Sequence, residues 1–150
     1  MKKTMERLGA NNVKIIVEDA FKFGPVAPAY DRVLIDVPCS GWGVFQKKAE
    51  LRWQERQNID ELIKLQEKAL QTASQFVKPG GYLVYSTCTI NDDENEAQIE
   101  KFLSQNKSFE LIDAASFIPP IYVNNKYLKT VPHIHHIDGA FAAKMRKQDN

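Results

Sequence analysis

Two short apolar runs, RVLIDV at 32–37 and YLVYS at 82–86, are separated by a long stretch that repeats at helical spacing, and this order leaves few folds open. Ile59, Leu62, Ile63, Leu65, Ala69, Leu70, Ala73 and Phe76 form one apolar stripe, which predicts a helix from about Ile59 to Phe76. It stops at Lys78-Pro79-Gly80-Gly81, a helix stop followed by a tight turn. A strand, a crossover helix and a second strand in one sheet run parallel with a right-handed crossing. Two further β-branched or apolar runs, Val13 to Val17 and Ala140 to Met145, read as a first and a last strand. The expected fold class is α/β, a mostly parallel sheet flanked by helices. Asn91 can cap another helix, with Asp92, Asp93 and Glu94 in a first turn where the helix dipole favours acids, running to about Ser104. Phe117-Ile118-Pro119-Pro120 reads as a loop.

At 150 residues the chain fits one domain with a single core. No apolar stretch approaches the roughly 20 residues that span a bilayer. The opening MKKTMERLG has no apolar segment behind it of the secretory kind, so a cytoplasmic location is expected. Lys and Arg number 20 against 19 Asp and Glu, so there is no global field to draw in a polyanion, and any nucleic-acid footprint is local. Basic residues gather at Lys47, Lys48 and Arg52, and again at Lys144, Arg146 and Lys147. A solvated charged face explains such clusters as well as a binding site does. His133, His135 and His136 match no common metal-ligand spacing, and no metal is expected.

In open α/β sheets ligands collect at the carboxyl ends of strands. Glu18-Asp19, Asp36-Val37-Pro38-Cys39-Ser40-Gly41 and Thr87-Cys88-Thr89 stand at three such ends. If the strands before Asp36 and Thr87 are neighbours, Cys39 and Cys88 emerge side by side. The chain has two cysteines, too few for a disulfide scaffold and without the CxxC spacing of a zinc ribbon. Each is either a small residue packed under a loop or a thiol placed to react. Asp36 and Asp19 are likewise open to two readings: turn or cap residues bonding local amides, or ligand-binding acids.

The string DVPCSGWG, then ELRW, then LIKLQEKALQTASQFVKPGGYLVYSTCTINDDENEAQIEKFL resembles the catalytic domain of the Sun family of RNA (cytosine-5) methyltransferases. VPHIHHIDGAFAAKMRK is similar to that family's closing segment. The resemblance implies an incomplete Rossmann-like class I methyltransferase domain. It also implies methyl transfer from S-adenosyl-L-methionine to carbon 5 of a cytosine in RNA, often ribosomal RNA. In the family's pattern Cys88 is the nucleophile that adds to carbon 6, and Cys39 assists release of the product. Asp36 holds the cytosine edge or the methyl donor, Asp19 meets the cofactor's adenine, and Pro38 fixes the backbone beside it. Lys47, Lys48 and Arg52 fall where the family contacts RNA.

The chain departs from the family at three places. Gln46-Lys47-Lys48-Ala49-Glu50 stands where an Arg-Arg-x-Pro-Asp pattern is usual, which removes bidentate arginine contacts to phosphate. Asp138-Gly139-Ala140-Phe141 replaces Asp-Gly-Phe-Phe. The family's upstream strands, with their Pro-Gly-Gly-Lys cofactor loop and ribose-binding acid, have no counterpart, so the sequence corresponds to the second half of such a domain. A partner chain or upstream segment completing the sheet is therefore expected. Without one, the alternative is a non-catalytic RNA-binding or interaction fragment. An amino-methyltransferase would need an Asn/Asp-Pro-Pro-aromatic loop, which DVPC does not supply.

Overall fold

A computed structural model describes residues 2–22, 30–53 and 58–149, without the side chain of Arg52. Its elements are α1 (Lys2–Arg7), β1 (Tyr30–Asp36), α2 (Ile59–Phe76), β2 (Val77–Thr87), α3 (Glu96–Gln105), β3 (Phe109–Ile112), β4 (Val123–Asn124), β5 (Tyr127–Thr130), α4 (Pro132–His135) and β6 (Ala140–Lys147).

The central unit is the expected one: β1 and β2 are parallel neighbours, joined through α2. The helix has the bounds that the apolar stripe sets, and Asn58 caps it by accepting a hydrogen bond from the Glu61 amide. The rest of the sheet corrects the expectation of a mostly parallel arrangement. β1 and β2 are the parallel pair, while β6 runs antiparallel to β2, β3 and β5, and β4 antiparallel to β5. The order is β1-β2-β6-β5-β4, with β3 also on β6. β5 occupies the edge of β6 from Ala140 to Ala142 and β3 the same edge from Lys144 to Lys147. Two residues join β4 to β5, a turn that makes them antiparallel neighbours, while β5 reaches its antiparallel place on β6 through α4.

The sheet registers Val33, Leu83, Met145 and Leu111 in one row and Ile35, Tyr85 and Ala143 in the next. Against these rows pack Leu70 and Ala73 of α2 and Ile99 and Phe102 of α3, forming the core. Phe102 meets Phe109 edge-on at 5.3 Å between ring centres, and Phe141 stands 5.1 Å from Tyr127. On the opposite face the row Leu34, Val84, Lys144 is open, with Leu34 68% exposed.

Two more expectations are corrected. Val13 to Val17 forms no strand: it lies outside every ladder and Val17 is 95% exposed. Strands are stabilised by partners, and among the described residues none lies beside this run. The run therefore does not pair with β1, whose outer edge is open among the described residues. Lys78-Pro79-Gly80-Gly81 does end α2, but it lies inside β2 as an irregularity. Tyr30 pairs with Val77 and Arg32 with Tyr82, so the extra residues bulge out, helped by Gly80 at a φ of 74°.

Candidate active site

The carboxyl ends of β1 and β2 bring the two cysteines together, with Cys39 Sγ 3.4 Å from Cys88 Sγ and both thiols free. Cys88 is exposed and Cys39 half-buried. Burial raises the Cys39 thiol from its ordinary 9.0 to about 12, and the neighbouring Cys88 side chain adds to the rise. Cys39 therefore keeps its proton at neutral pH and can direct its S–H at the exposed sulfur of Cys88. A thiol that retains its proton is a poor nucleophile, and of the two sulfurs the exposed one, Cys88, is the one a substrate can reach. Iodoacetamide at mildly alkaline pH is expected to label Cys88 and spare Cys39. Labelling of Cys39 should rise only at a pH well above that which labels Cys88, as followed by peptide mass spectrometry.

The loops carrying the sulfurs are tied together by side chains that sequence reasoning placed elsewhere. Glu94 is read from the sequence as an acid of a first helical turn, and it is wholly buried. A 3-10 turn at Asp92–Glu94, capped by Asn91, precedes α3, so the helix begins several residues later than Asn91 alone predicts. That turn aims Glu94 inward. Its Oε1 accepts from the Ser40 amide at 2.9 Å and from Gln66 Nε2 at 3.0 Å. Its Oε2 accepts from the Ser40 hydroxyl at 2.5 Å and from Asn91 Nδ2 at 3.3 Å. Gln66 also donates to the Pro38 carbonyl, and Thr89 shares a 2.7 Å hydroxyl bond with Ser40. Asn95 donates to the Thr89 carbonyl and accepts from Thr87. One signal for this was in the sequence. Gln66 falls four residues after Leu62 and four before Leu70, a polar residue on an otherwise apolar stripe.

The amino end of β6 joins the same rim through glycines. The Gly43 amide donates to the Cys88 carbonyl at 3.0 Å, and the Gly139 amide donates to the Gly43 carbonyl at 2.8 Å. Beside this junction lies an open cleft of about 620 Å³ whose walls include Lys47, Tyr122, Thr130, His136 and Asp138. Lys47 forms an ion pair with Asp138 at 2.5 Å. His135 pins α4 in place, accepting from the Val131 amide at Nδ1 while Nε2 contacts the Ile121 carbonyl at 2.9 Å. Lys48 is exposed nearby in sequence, and the side chain of Arg52 lies outside the described residues.

Asp36 ends β1, accepts a 3.1 Å hydrogen bond from Ser86 and, with Pro38, lines a second cleft of about 520 Å³. Its other walls are largely apolar, among them Ile16, Phe21, Val33 and Ile35, with Glu18 as a further acid. Apolar walls with two carboxylates suit a flat nucleoside that carries hydroxyls and a cationic centre, so the residues present fit S-adenosyl-L-methionine. Asp19 stands next to this wall in sequence, but its carboxylate accepts from the Phe21 amide at 3.0 Å and lies 4.0 Å from Lys22. Cys39, Cys88, Asp36 and Pro38 thus share one rim. Asp19 makes local bonds at the side of it, and Lys47 lies across the glycine junction.

This mixed α/β sheet is a class I methyltransferase-like fold. NSun6 from Pyrococcus horikoshii, solved "with SFG", superposes on all of this chain with a TM-score of 0.83 at 33% identity, over 38% of its own length. The sequence model of the family described as 16S rRNA methyltransferase RsmB/F matches residues 1–146. The chain belongs to this RsmB/F (Sun/NSUN) family of RNA cytosine-5 methyltransferases. It is 40% identical to the "Probable ribosomal RNA small subunit methyltransferase B" of Synechocystis, over 96% of this chain and 34% of that protein. It is 36% identical to the tRNA (cytosine(72)-C(5))-methyltransferase of Pyrococcus horikoshii, over 98% of this chain and 37% of that protein. The chain thus spans about a third of the length of the curated relatives it matches.

Proposed function

We propose that this chain carries the thiol half of an S-adenosyl-L-methionine-dependent RNA cytosine-5 methyltransferase, acting on ribosomal RNA. The observation that supports it is the pair of sulfurs 3.4 Å apart, one exposed and one holding its proton, on the rim that Asp36 shares with the nucleoside-sized cleft.

Cys88 adds to carbon 6 of the cytosine and turns the ring into an enamine whose carbon 5 is nucleophilic. The cofactor supplies an electrophilic methyl group, which carbon 5 takes. Water takes the carbon 5 proton, and its electron pair restores the double bond and expels Cys88 from carbon 6 as a thiolate. Cys39 stands beside the sulfur that must leave and assists that release. Asp36 orients the base edge or the methyl donor by charge-assisted hydrogen bonds. Pro38 shapes the cofactor cleft, with Asp19 next to its wall, and Lys47, Lys48 and Arg52 contact phosphates.

The open outer edge of β1 and the unpaired Val13–Val17 run support a requirement for the family's preceding segment, supplied in the same chain or by a partner. Calorimetry on the chain alone is expected to find only weak cofactor binding, and micromolar affinity would overturn that requirement. The test of the reaction is RNA carrying 5-fluorocytosine, presented with cofactor to the chain plus that segment. With carbon 5 blocked, a covalent protein–RNA complex through Cys88 is expected. An adduct through Cys39 would reverse the assignment, and none at all would favour a non-catalytic RNA-binding module.

A further inference from the structure

We propose that Glu94 is a positioning residue that sets the separation of the two thiols. This rests on reading Cys88 and Cys39 as the reacting pair. The residue after each cysteine carries a hydroxyl, Ser40 after Cys39 and Thr89 after Cys88, and those hydroxyls bond to each other at 2.7 Å. Both are buried, with Ser40 2% and Thr89 1% exposed. Ser40 donates on to Glu94 Oε2 at 2.5 Å, so the direction of the chain is fixed: Thr89 donates to Ser40, and Ser40 to Glu94. The Thr89 oxygen is kept as an acceptor by the Asn91 amide at 3.2 Å.

Glu94 thereby fastens the Cys39 loop at two points, backbone amide and hydroxyl, and the Cys88 loop through Thr89 and Asn91. The Glu94 carbonyl in turn accepts from the Tyr85 hydroxyl at 2.6 Å, anchoring the turn to the strand that leads into Cys88. All four partners of the side chain are donors, and no cation is among them. A buried acid placed this way is costly unless its acceptors are all used, and reacting groups need holding to within about half an ångström.

Glu94→Gln keeps the volume and replaces one acceptor oxygen with a donor. The new amide faces Ser40 Oγ and Asn91 Nδ2, both donors at present, so the hydroxyl chain must reverse or break.

The sulfur separation can be read without RNA or cofactor. The purified chain is equilibrated with glutathione and glutathione disulfide, quenched, alkylated and mapped by mass spectrometry. Cys88 displaces one glutathione to give a mixed disulfide, and Cys39 then displaces the second. The two cysteines lose two protons and two electrons, and one glutathione disulfide becomes two glutathione thiols. The ratio of Cys39–Cys88 disulfide to Cys88–glutathione reports the effective concentration of one thiol at the other.

In the parent the internal disulfide is expected to dominate, and Glu94→Gln should lower the ratio by about tenfold or more. Ser40→Ala, which removes the hydroxyl link and leaves the amide contact, should give a smaller loss and serves if Glu94→Gln does not fold. Phe109→Leu, a core change in β3 opposite Lys147 of β6, controls for loosened packing and should lower the melting temperature with the ratio unchanged. A parent that stays at the mixed disulfide, a Glu94→Gln ratio within twofold of the parent, or an equal loss in Phe109→Leu would overturn the proposal. Failure of 5-fluorocytosine trapping would leave this readout untouched.

Discussion

Gly43→Ala is expected to lower the melting temperature by roughly 10 °C, since forcing a methyl into a closed site costs about 3 kcal/mol and a chain of this size loses ~3 °C per kcal/mol. A Cβ at Gly43 would stand 2.4 Å from the Gly139 carbonyl oxygen and 2.8 Å from the Cys88 carbonyl oxygen. Both are backbone atoms, so no side chain can swing away to make room. Gly43 bonds to both of these segments, and relief of the clash therefore pulls the Cys39 loop off the end of β2. Gly9→Ala is the useful contrast. Nothing lies within 4 Å of that Cβ, so only the strain of its positive φ, 66°, remains, about 1 kcal/mol. Differential scanning calorimetry of the two variants separates them, and equal losses would show that the junction is looser than its distances.

The second large effect is a split between the cysteines in the chain completed by the family's preceding segment. Cys88→Ala is expected to form no covalent complex and to lose turnover by on the order of 10⁴ or more, as removal of a catalytic nucleophile does. Cys39→Ala keeps the nucleophile and loses the group beside the departing sulfur. It should accumulate a covalent complex with ordinary cytosine RNA, seen as a heat-stable shifted band on a denaturing gel. If instead Cys39→Ala abolishes the complex and Cys88→Ala retains it, the roles are exchanged.

The parts of this fold set by local pattern were legible in the sequence. The stripe from Ile59 to Phe76, with its stop, fixes α2, and a crossover helix makes the strands it joins parallel. The cysteine pair follows once those strands are neighbours, as β1 and β2 are. Of the antiparallel half β6 was legible, as the apolar run Ala140 to Met145, but its partners β3, β4 and β5 were not, because they are two to four residues each and too short to show a period. The β-branched residues of Val13–Val17 are a strand signal, yet strand formation depends on a partner that the run itself does not encode. Of the site, the sulfurs were legible and their fastening was not. Glu94 sits at a position where an exposed acid is ordinary, and only its 3-10 turn turns it inward. Gln66 was the exception, marked by its place among Leu62, Ile63 and Leu70. Asp19 kept the local bonds of a turn residue, so its place at the adenine comes from the family's pattern alone.

β6 is central in space and late in sequence. Three strands lean on it, and Phe141, Ala143 and Met145 sit in the core, so nothing upstream can close its sheet until residue 147 has been made. During synthesis the earlier strands must wait with their apolar faces uncovered, while the pairing they await is distant along the chain and so slow to form. A premature stop only a few codons before Ala140 therefore leaves both thiols in place and strips β2, the strand that leads into Cys88, of its antiparallel partner. Such a product should be a client for chaperones and proteases rather than a weakened enzyme.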